Sequence, residues 1–210
     1  MSAGALPVAG VAGLVIAGGR SVRFGGEKAI ATLQGRALLL WAAQRLQGSC
    51  EIVAVNARPN TGAATLAQGQ GFAVLHDAPG DATGPLAGVK VGLQWAKARG
   101  ARTLAVSPCD APLLPQDLFP RLLAAASGGA AMAETSAGLE PLCAVWPVSA
   151  LEDVCAALAH GAHPPTWRLL ESLGARHVRF EDAAAFMNLN TPADLAAVAA
   201  GLPAAAVRAT

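Results

Sequence analysis

The chain has 210 residues, 53% of them hydrophobic and only 4% aromatic, with no Tyr and a formal net charge of +1. Ala, Gly, Leu and Val carry the apolar mass, enough for a sizeable core, and the length favours one α/β domain. The 15 Lys and Arg are scattered, which leaves no electrostatic footprint for a nucleic acid or an anionic membrane surface.

Residues 1–9 read as a frayed tail. From residue 10, GVAGLVIAG is a continuous apolar run bounded by glycines, which predicts a strand buried on both faces. The apolar stretch at 6–19 is too short and too rich in Gly to span a bilayer, and no Lys or Arg precedes it as in a signal peptide. Helical spacing follows over 36–48, closed by Gly48. CEIVAVN (50–56) and GFAVLHD (71–77) predict two more strands. Residues 84–100 predict a helix opened near Pro85 and stopped at Gly100, and RTLAVSPCD (102–110) a strand with a polar tip.

Further on, the pattern predicts a helix over 115–127, strands near 130–135 and 140–146, and helices around 148–159 and 165–173. A short strand RHVRF (176–180) and a last helix from Thr191 complete the chain. Strands and helices alternating with short connections predict a Rossmann-like, doubly wound, mostly parallel sheet with helices on both faces. No repeat or linker divides it, so one domain is expected over 10–202, with 203–210 frayed. Cys50, Cys109, Cys143 and Cys155 form no C-x-x-C pair and read as small buried side chains of a reducing, cytoplasmic protein.

In an open α/β sheet, ligands bind beyond the carboxyl ends of the strands. The first strand leads into Gly18, Gly19 and a loop to Lys28; the next tips carry Asn56, Asp77 and Asp110. The loop is neither a P-loop, since Gly26 is followed by Glu27, Lys28 and Ala29, nor a dinucleotide fingerprint, since GGRSVRFGG lacks G-x-G-x-x-G spacing. Its backbone amides, with Arg20, Arg23 and Lys28, suit phosphate. A carboxylate at the tip of an apolar strand beside polyphosphate suits Mg²⁺; equally, Asp110 reads as a turn or N-cap residue, a role for which Asp117 is a neighbouring candidate.

HDAPGDATGPLAG holds Asp77, Asp81, Gly84 and Gly88; the glycines would let backbone approach a flat ligand, although alone the stretch reads as a surface loop. In FMNLNTPADL, Asn190 or Thr191 as an N-cap explains one polar residue, leaving Asn188 or Asn190 to read a heterocycle. His160 and His163 lie in a Pro/Gly loop, His76 and His177 read as structural, and Ser21 has no His–Asp partner for nucleophilic chemistry.

IAGGRSVRFGGEKA resembles the L-A-G-G-x-S-x-R-M-G-x-D-K signature of the molybdenum cofactor guanylyltransferases, the MobA family of nucleotidyltransferases. The likeness continues through VNAR, HDAPGDATGPLAGV, SPCDAPLLPQDL, EPLCAVWP and FMNLNTPADL, from about Val11 to Leu195. It implies a nucleotide-diphospho-sugar-transferase-like fold and Mg²⁺-dependent transfer of GMP from GTP to the phosphate of molybdopterin. On the resemblance, Ile16, Ala17 and Gly18 lie along the guanosine, and Gly19, Arg23 and Lys28 on the phosphates. Asn56 and Asp77 contact the nucleoside, Asp110 holds Mg²⁺, and Asn188 and Asn190 border the molybdopterin.

Arg23, Lys28 and Asp110 are then the expected catalytic residues, with Gly84 an added nucleotide-binding position. Ile16 and Phe24 are mild departures from the signature; Glu27 replaces its Asp and is given no catalytic role. A cytidylyltransferase on the same pterin, which more often shows A-A-G, remains an alternative. So do transfer to another phosphorylated acceptor and a non-catalytic nucleotide-binding partner of molybdoenzyme maturation. A monomer or weak oligomer is expected, meeting molybdoenzyme maturation proteins but neither nucleic acid nor membrane.

Overall fold

A computed structural model describes residues 7–19, 22–78, 84–159 and 162–201. Its centre is strand β1 (Val8–Ile16), flanked by β4 (Cys50–Asn56) and β6 (Thr103–Pro108) in parallel register, so that Leu14 faces Ala54 on one side and Val106 on the other. The apolar run predicts this central place, because a strand covered on both faces has no polar side to present. β1 begins at Val8, which pairs with Cys50, so Val8 and Ala9 belong to the sheet and not to the expected tail.

With β5 (Ala73–Leu75), β7 (Ala131–Thr135), β8 (Gly138–Pro147) and β9 (Arg176–Arg179), the sheet among the described residues has seven strands in the order β5-β4-β1-β6-β8-β7-β9. β8 runs antiparallel to both its neighbours, and the other strands share one direction.

Helices cover both faces. Val11 and Val15 point to the layer of α1 (Leu38–Gln47), α2 (Gly62–Gly69) and α4 (Leu118–Ala126); Ala12 and Leu14 point to that of α3 (Pro85–Ala98), α5 (Leu151–Ala157) and α6 (Thr166–Ser172). The approach of α3 is close: a Cβ on Gly92 would lie 2.5 Å from Leu14 Cδ2. A hairpin of β2 (Thr32–Leu33) and β3 (Arg36–Ala37) and the last helix α7 (Pro192–Gly201) share a small cluster of Leu33, Leu38, Leu189 and Val198. The expected doubly wound architecture is present, with one reversed strand and with α2 and the hairpin added. Among the described residues, no helix is long and apolar enough to cross a membrane.

The strand tips are shorter than their predicted spans. β5 stops at Leu75 and β6 at Pro108, so Asp77 and Asp110 each lie two residues past the ladder and are presented at the sheet's carboxyl edge. The helix expected over 115–127 starts at Leu118; Asp117 precedes it without a side-chain capping bond and pairs instead with Arg121 at 3.7 Å.

Candidate active site

At the carboxyl edge of β5, β4, β1 and β6 lies a cleft of about 670 Å³. Its walls hold Ile16, Ala17, Gly18, Gly19, Lys28, Asn56, Asp77, Gly84 and Asp110, all expected from the sequence. Glu27, Arg58 and Leu142 join them without having been assigned there. Neither Arg23 nor Asn188 nor Asn190 is in the wall. Arg20, Ser21, Asp81 and His160 lie outside the described residues.

One pole of the cleft is charged. Lys28, on a single 3-10 turn (Lys28–Ile30), places Nζ 2.5 Å from Asp110 Oδ2 and donates to Asn190 Oδ1 at 3.2 Å. The two side chains of the ion pair are 13% and 18% exposed, so the pair is shielded yet open to the cleft. The segment carrying Asn190 is held against Asp110 by the backbone: Leu189 N donates to Asp110 O at 2.8 Å, and the Leu189 side chain is fully buried.

The question of which polar residue caps α7 resolves here. Thr191 Oγ1 accepts from Asp194 N at 3.1 Å, while Asp194 Oδ2 accepts from Asn190 N at 2.8 Å and Thr191 N at 2.9 Å. This reciprocal capping box leaves the Asn190 side-chain oxygen for Lys28. The amides of Asn190 and then Thr191 hold the Asp194 carboxyl below the usual range, with a smaller contribution from the Arg23 charge. Arg23 is exposed, and its charge acts on Asp194 in the first turn of α7; Asn188 is exposed too, its carbonyl accepting from Asn190 Nδ2 at 3.4 Å.

The other pole pairs a buried amide with a carboxylate. Asn56 is 3% exposed and donates from Nδ2 to Asp77 Oδ1 at 2.8 Å and to Leu75 O at 3.4 Å. Gly88 of α3 makes room for it, since a Cβ there would lie 2.6 Å from Asn56 Oδ1 and 2.8 Å from Ile16 Cδ1. Gly84, with φ +150°, opens α3 with Pro85 at the first turn, and a Cβ on Gly84 would lie 1.8 Å from His163 Nε2. The histidine that the sequence left in a Pro/Gly loop thus packs against the cleft.

The remaining wall comes from an irregularity in β8. Met132 and Ala133 are adjacent on β7, but their partners are Ala144 and Glu140, so Pro141, Leu142 and Cys143 bulge out of the ladder. The bulge brings Leu142 to the cleft, a re-aiming for which bulges beside functional sites are suited. Cys109 also lines it, but burial above all, with the Asp110 charge, pushes its thiol up to about 12, and a protonated thiol is no nucleophile at neutral pH.

Among the described residues, no group of three or more His, Cys, Asp or Glu could hold a metal ion by itself. The hard oxygens at the charged pole are the Asp110 carboxylate and Asn190 Oδ1. Such a donor set fits a Mg²⁺-like ion shared with substrate phosphates and does not fit an all-protein cage.

Residues 13–179 match the model of the MobA-like NTP transferase domain. The chain is 44% identical over 185 residues to a molybdenum cofactor guanylyltransferase of Cereibacter sphaeroides, covering 88% of this chain and 93% of that one. It is 34% identical over 201 residues to a protein of the same name from Cupriavidus pinatubonensis, covering 91% and 97%. Among solved structures it resembles the molybdopterin-guanine dinucleotide biosynthesis protein A of Archaeoglobus fulgidus, with a TM-score of 0.69 and 22% identity over 91% of this chain and 100% of that one. That last likeness speaks to the fold.

Proposed function

The chain belongs to the MobA-like NTP transferase family, and from that premise we propose that it transfers GMP from GTP to the terminal phosphate of molybdopterin, releasing pyrophosphate. The observation that carries the reading is the polarity of one cleft. A hydrogen-bonding end at Asn56 and the Asp77 carboxylate suits the hydroxyl and N–H groups of a nucleoside, and an ion-paired end, where the Lys28 ammonium meets the Asp110 carboxylate, suits phosphates together with a divalent cation. Asp77 and Asp110 follow strands three inter-strand intervals apart, about 14 Å, enough for an extended nucleoside triphosphate.

In this reading an oxygen of the acceptor phosphate attacks the α-phosphorus of GTP, and the bond to the β-phosphate bridging oxygen breaks with its electron pair leaving on pyrophosphate. The nucleophile is already an anionic oxygen, so the protein needs neither a base nor a covalent nucleophile. Positioning and charge stabilisation suffice.

Ile16, Ala17, Gly18 and Gly84 present backbone and small apolar surface to the nucleoside, with Asn56 and Asp77 fixing its polar edge. Gly19 and Lys28 attend the phosphates, and Lys28 neutralises the charge that builds towards the leaving group. Asp110, with Lys28 beside it, would hold Mg²⁺ together with phosphate oxygens; the ion would supply Lewis-acid stabilisation of that charge. Asn190, tied to Lys28, and Asn188 border the acceptor side, where Arg23 adds positive charge near Asp194.

Four free cysteines, three of them buried, support a cytoplasmic setting. There a monomer or weak oligomer would pass its product to molybdoenzyme maturation proteins.

The test is pyrophosphate release with Mg²⁺, molybdopterin and each nucleoside triphosphate in turn. GTP is expected to be used at least tenfold faster than CTP, UTP or ATP. Preference for CTP would overturn the guanyl assignment, and tight GTP binding without turnover would overturn catalysis.

A further inference from the structure

Two cations reach the cleft from adjacent strand tips: Lys28 after β1 and Arg58 after β4. Lys28 is engaged with Asp110 and Asn190. Arg58 is exposed, and its guanidinium has no hydrogen-bond or ion-pair partner among the described residues; its carbonyl accepts from Thr61 Oγ1 at 2.7 Å. An unneutralised guanidinium in the wall of a cleft is suited to a phosphate, which it can bind through two parallel N–H groups.

The turn that carries Arg58 is held from outside itself. Glu27, just before Lys28, reaches across to the start of α2, and its two carboxylate oxygens accept from Gly62 N and Ala63 N, each at 2.7 Å. Thr61 Oγ1 takes the next amide, Ala64 N, at 3.3 Å. The first three amides of α2 are therefore occupied by protein oxygens, and the positive end of its dipole faces an internal carboxylate in place of a ligand. Gly62 permits the approach, because a Cβ there would lie 2.9 Å from Glu27 Oε2 and 2.8 Å from Ile30 Cδ1. Glu27 thus ties the loop that ends in Lys28 to the turn that begins at Arg58.

We propose that Arg58 is a further nucleotide-binding residue that takes phosphate oxygens of the nucleoside triphosphate, and that Glu27 is the positioning residue that sets Arg58 and Lys28 on one cleft. The assignment rests on the reading of this cleft as a GTP site.

Isothermal titration of the full chain with GTP and with guanosine, in Mg²⁺, separates the possibilities. Arg58→Ala is expected to weaken GTP about ten- to a hundredfold, the range for a charged hydrogen bond, while guanosine changes less than twofold. Arg58→Lys recovers part of the loss. Glu27→Gln weakens GTP a few-fold with guanosine unchanged, and the double variant Glu27→Gln/Arg58→Ala loses less than the product of the two single losses, because only the part of the Glu27 effect that runs through Lys28 remains. Where Gln loosens the fold, as judged by thermal unfolding, Glu27→Asp replaces it.

Equal losses for GTP and guanosine in Arg58→Ala, or no loss for either, would overturn the Arg58 assignment. Additive losses in the double variant would overturn the role of Glu27. A wild-type chain that binds no GTP would instead overturn the reading of the cleft itself.

Discussion

Lys28 and Asp110, 82 residues apart in the chain, meet at 2.5 Å between Nζ and Oδ2 at the carboxyl edge of adjacent strands β1 and β6. The contact joins the end of the glycine loop to a strand tip, so a cation and a metal-competent carboxylate occupy one point of the cleft. Removing either disturbs the same charge distribution. Lys28→Met and Asp110→Asn are each expected to lower turnover about 10²- to 10³-fold, and the double variant to be little worse than the poorer single one. Pyrophosphate release under saturating substrates reads this directly, and independent, multiplying losses would show that the two act separately.

Much of this arrangement was legible in the sequence for a physical reason. A parallel strand covered on both faces must be apolar along its length, and β1, β4 and β6 announce themselves that way; the polar residues that end such runs then fall at the edge where ligands bind. What was not legible depends on partners distant in the chain. α2, with the sequence GAATLAQG, buries Ala63, Ala64 and Ala67 and has little large apolar surface to betray it. Its capping carboxylate comes from Glu27, 35 residues earlier, and bonds only to backbone amides, which no side-chain pattern records. The reversal of β8 and its bulge at Leu142 are set by pairing with β6 and β7, and the hairpin of β2 and β3 has strands of two residues. Asn190 was singled out from the sequence, but the split between its capped amide and its side chain, which meets Lys28, needed the geometry of Asp194.

Gly84 packs directly against His163 beside the cleft. Gly84→Ala meets two obstacles: a φ of +150°, where side chains are strained, and a Cβ position 1.8 Å from His163 Nε2. The variant is expected to lose about 1–3 kcal/mol of stability and to raise the KM for nucleotide. Adding His163→Ala removes the clash but not the strained backbone, so partial recovery of the midpoint in thermal unfolding is expected; full recovery would mean that φ carries no cost there.

Asn56→Asp would set two carboxylates where Asn56 Nδ2 now donates to Asp77 Oδ1 at 2.8 Å. Like charges at that distance raise the pKa of the pair, so the native state takes up a proton that the unfolded chain releases. The variant should therefore be destabilised relative to wild type at pH 7 by about 1–3 kcal/mol, and by less near pH 4, where the unfolded carboxyls also begin to protonate. Urea unfolding at the two pH values checks the sign, and a loss that did not shrink on acidification would place the cost in shape and not in charge.

The cysteines offer a test of packing. Burial pushes Cys50 and Cys109 each up to about 12 and Cys143 well above the ordinary thiol value, whereas Cys155 is exposed on α5. Iodoacetamide at pH 8 on the native chain should thus add a single label, on Cys155, and four after denaturation. Rapid native labelling of Cys109 would mean that the cleft wall opens.

Asp194 gives the pH dependence that the α7 cap imposes. Its carboxyl is held low by the amides of Asn190 and Thr191, so the native state binds its proton more weakly than the unfolded chain does. For a depressed carboxyl the contribution to stability is fully present above the unfolded value, about 3.9, and drains away as pH falls through the lower native value. Wild type should therefore lose stability more steeply below pH 4 than Asp194→Ala, measured as the urea midpoint at successive pH values. The same substitution frees the amide of Asn190, whose side chain meets Lys28 at 3.2 Å, so at pH 7 it should also weaken acceptor use, seen as a raised KM for molybdopterin with that for GTP less affected. Parallel acid profiles for the two proteins would show that the cap contributes nothing through its charge, and an unchanged molybdopterin KM would separate α7 from the acceptor side of the cleft.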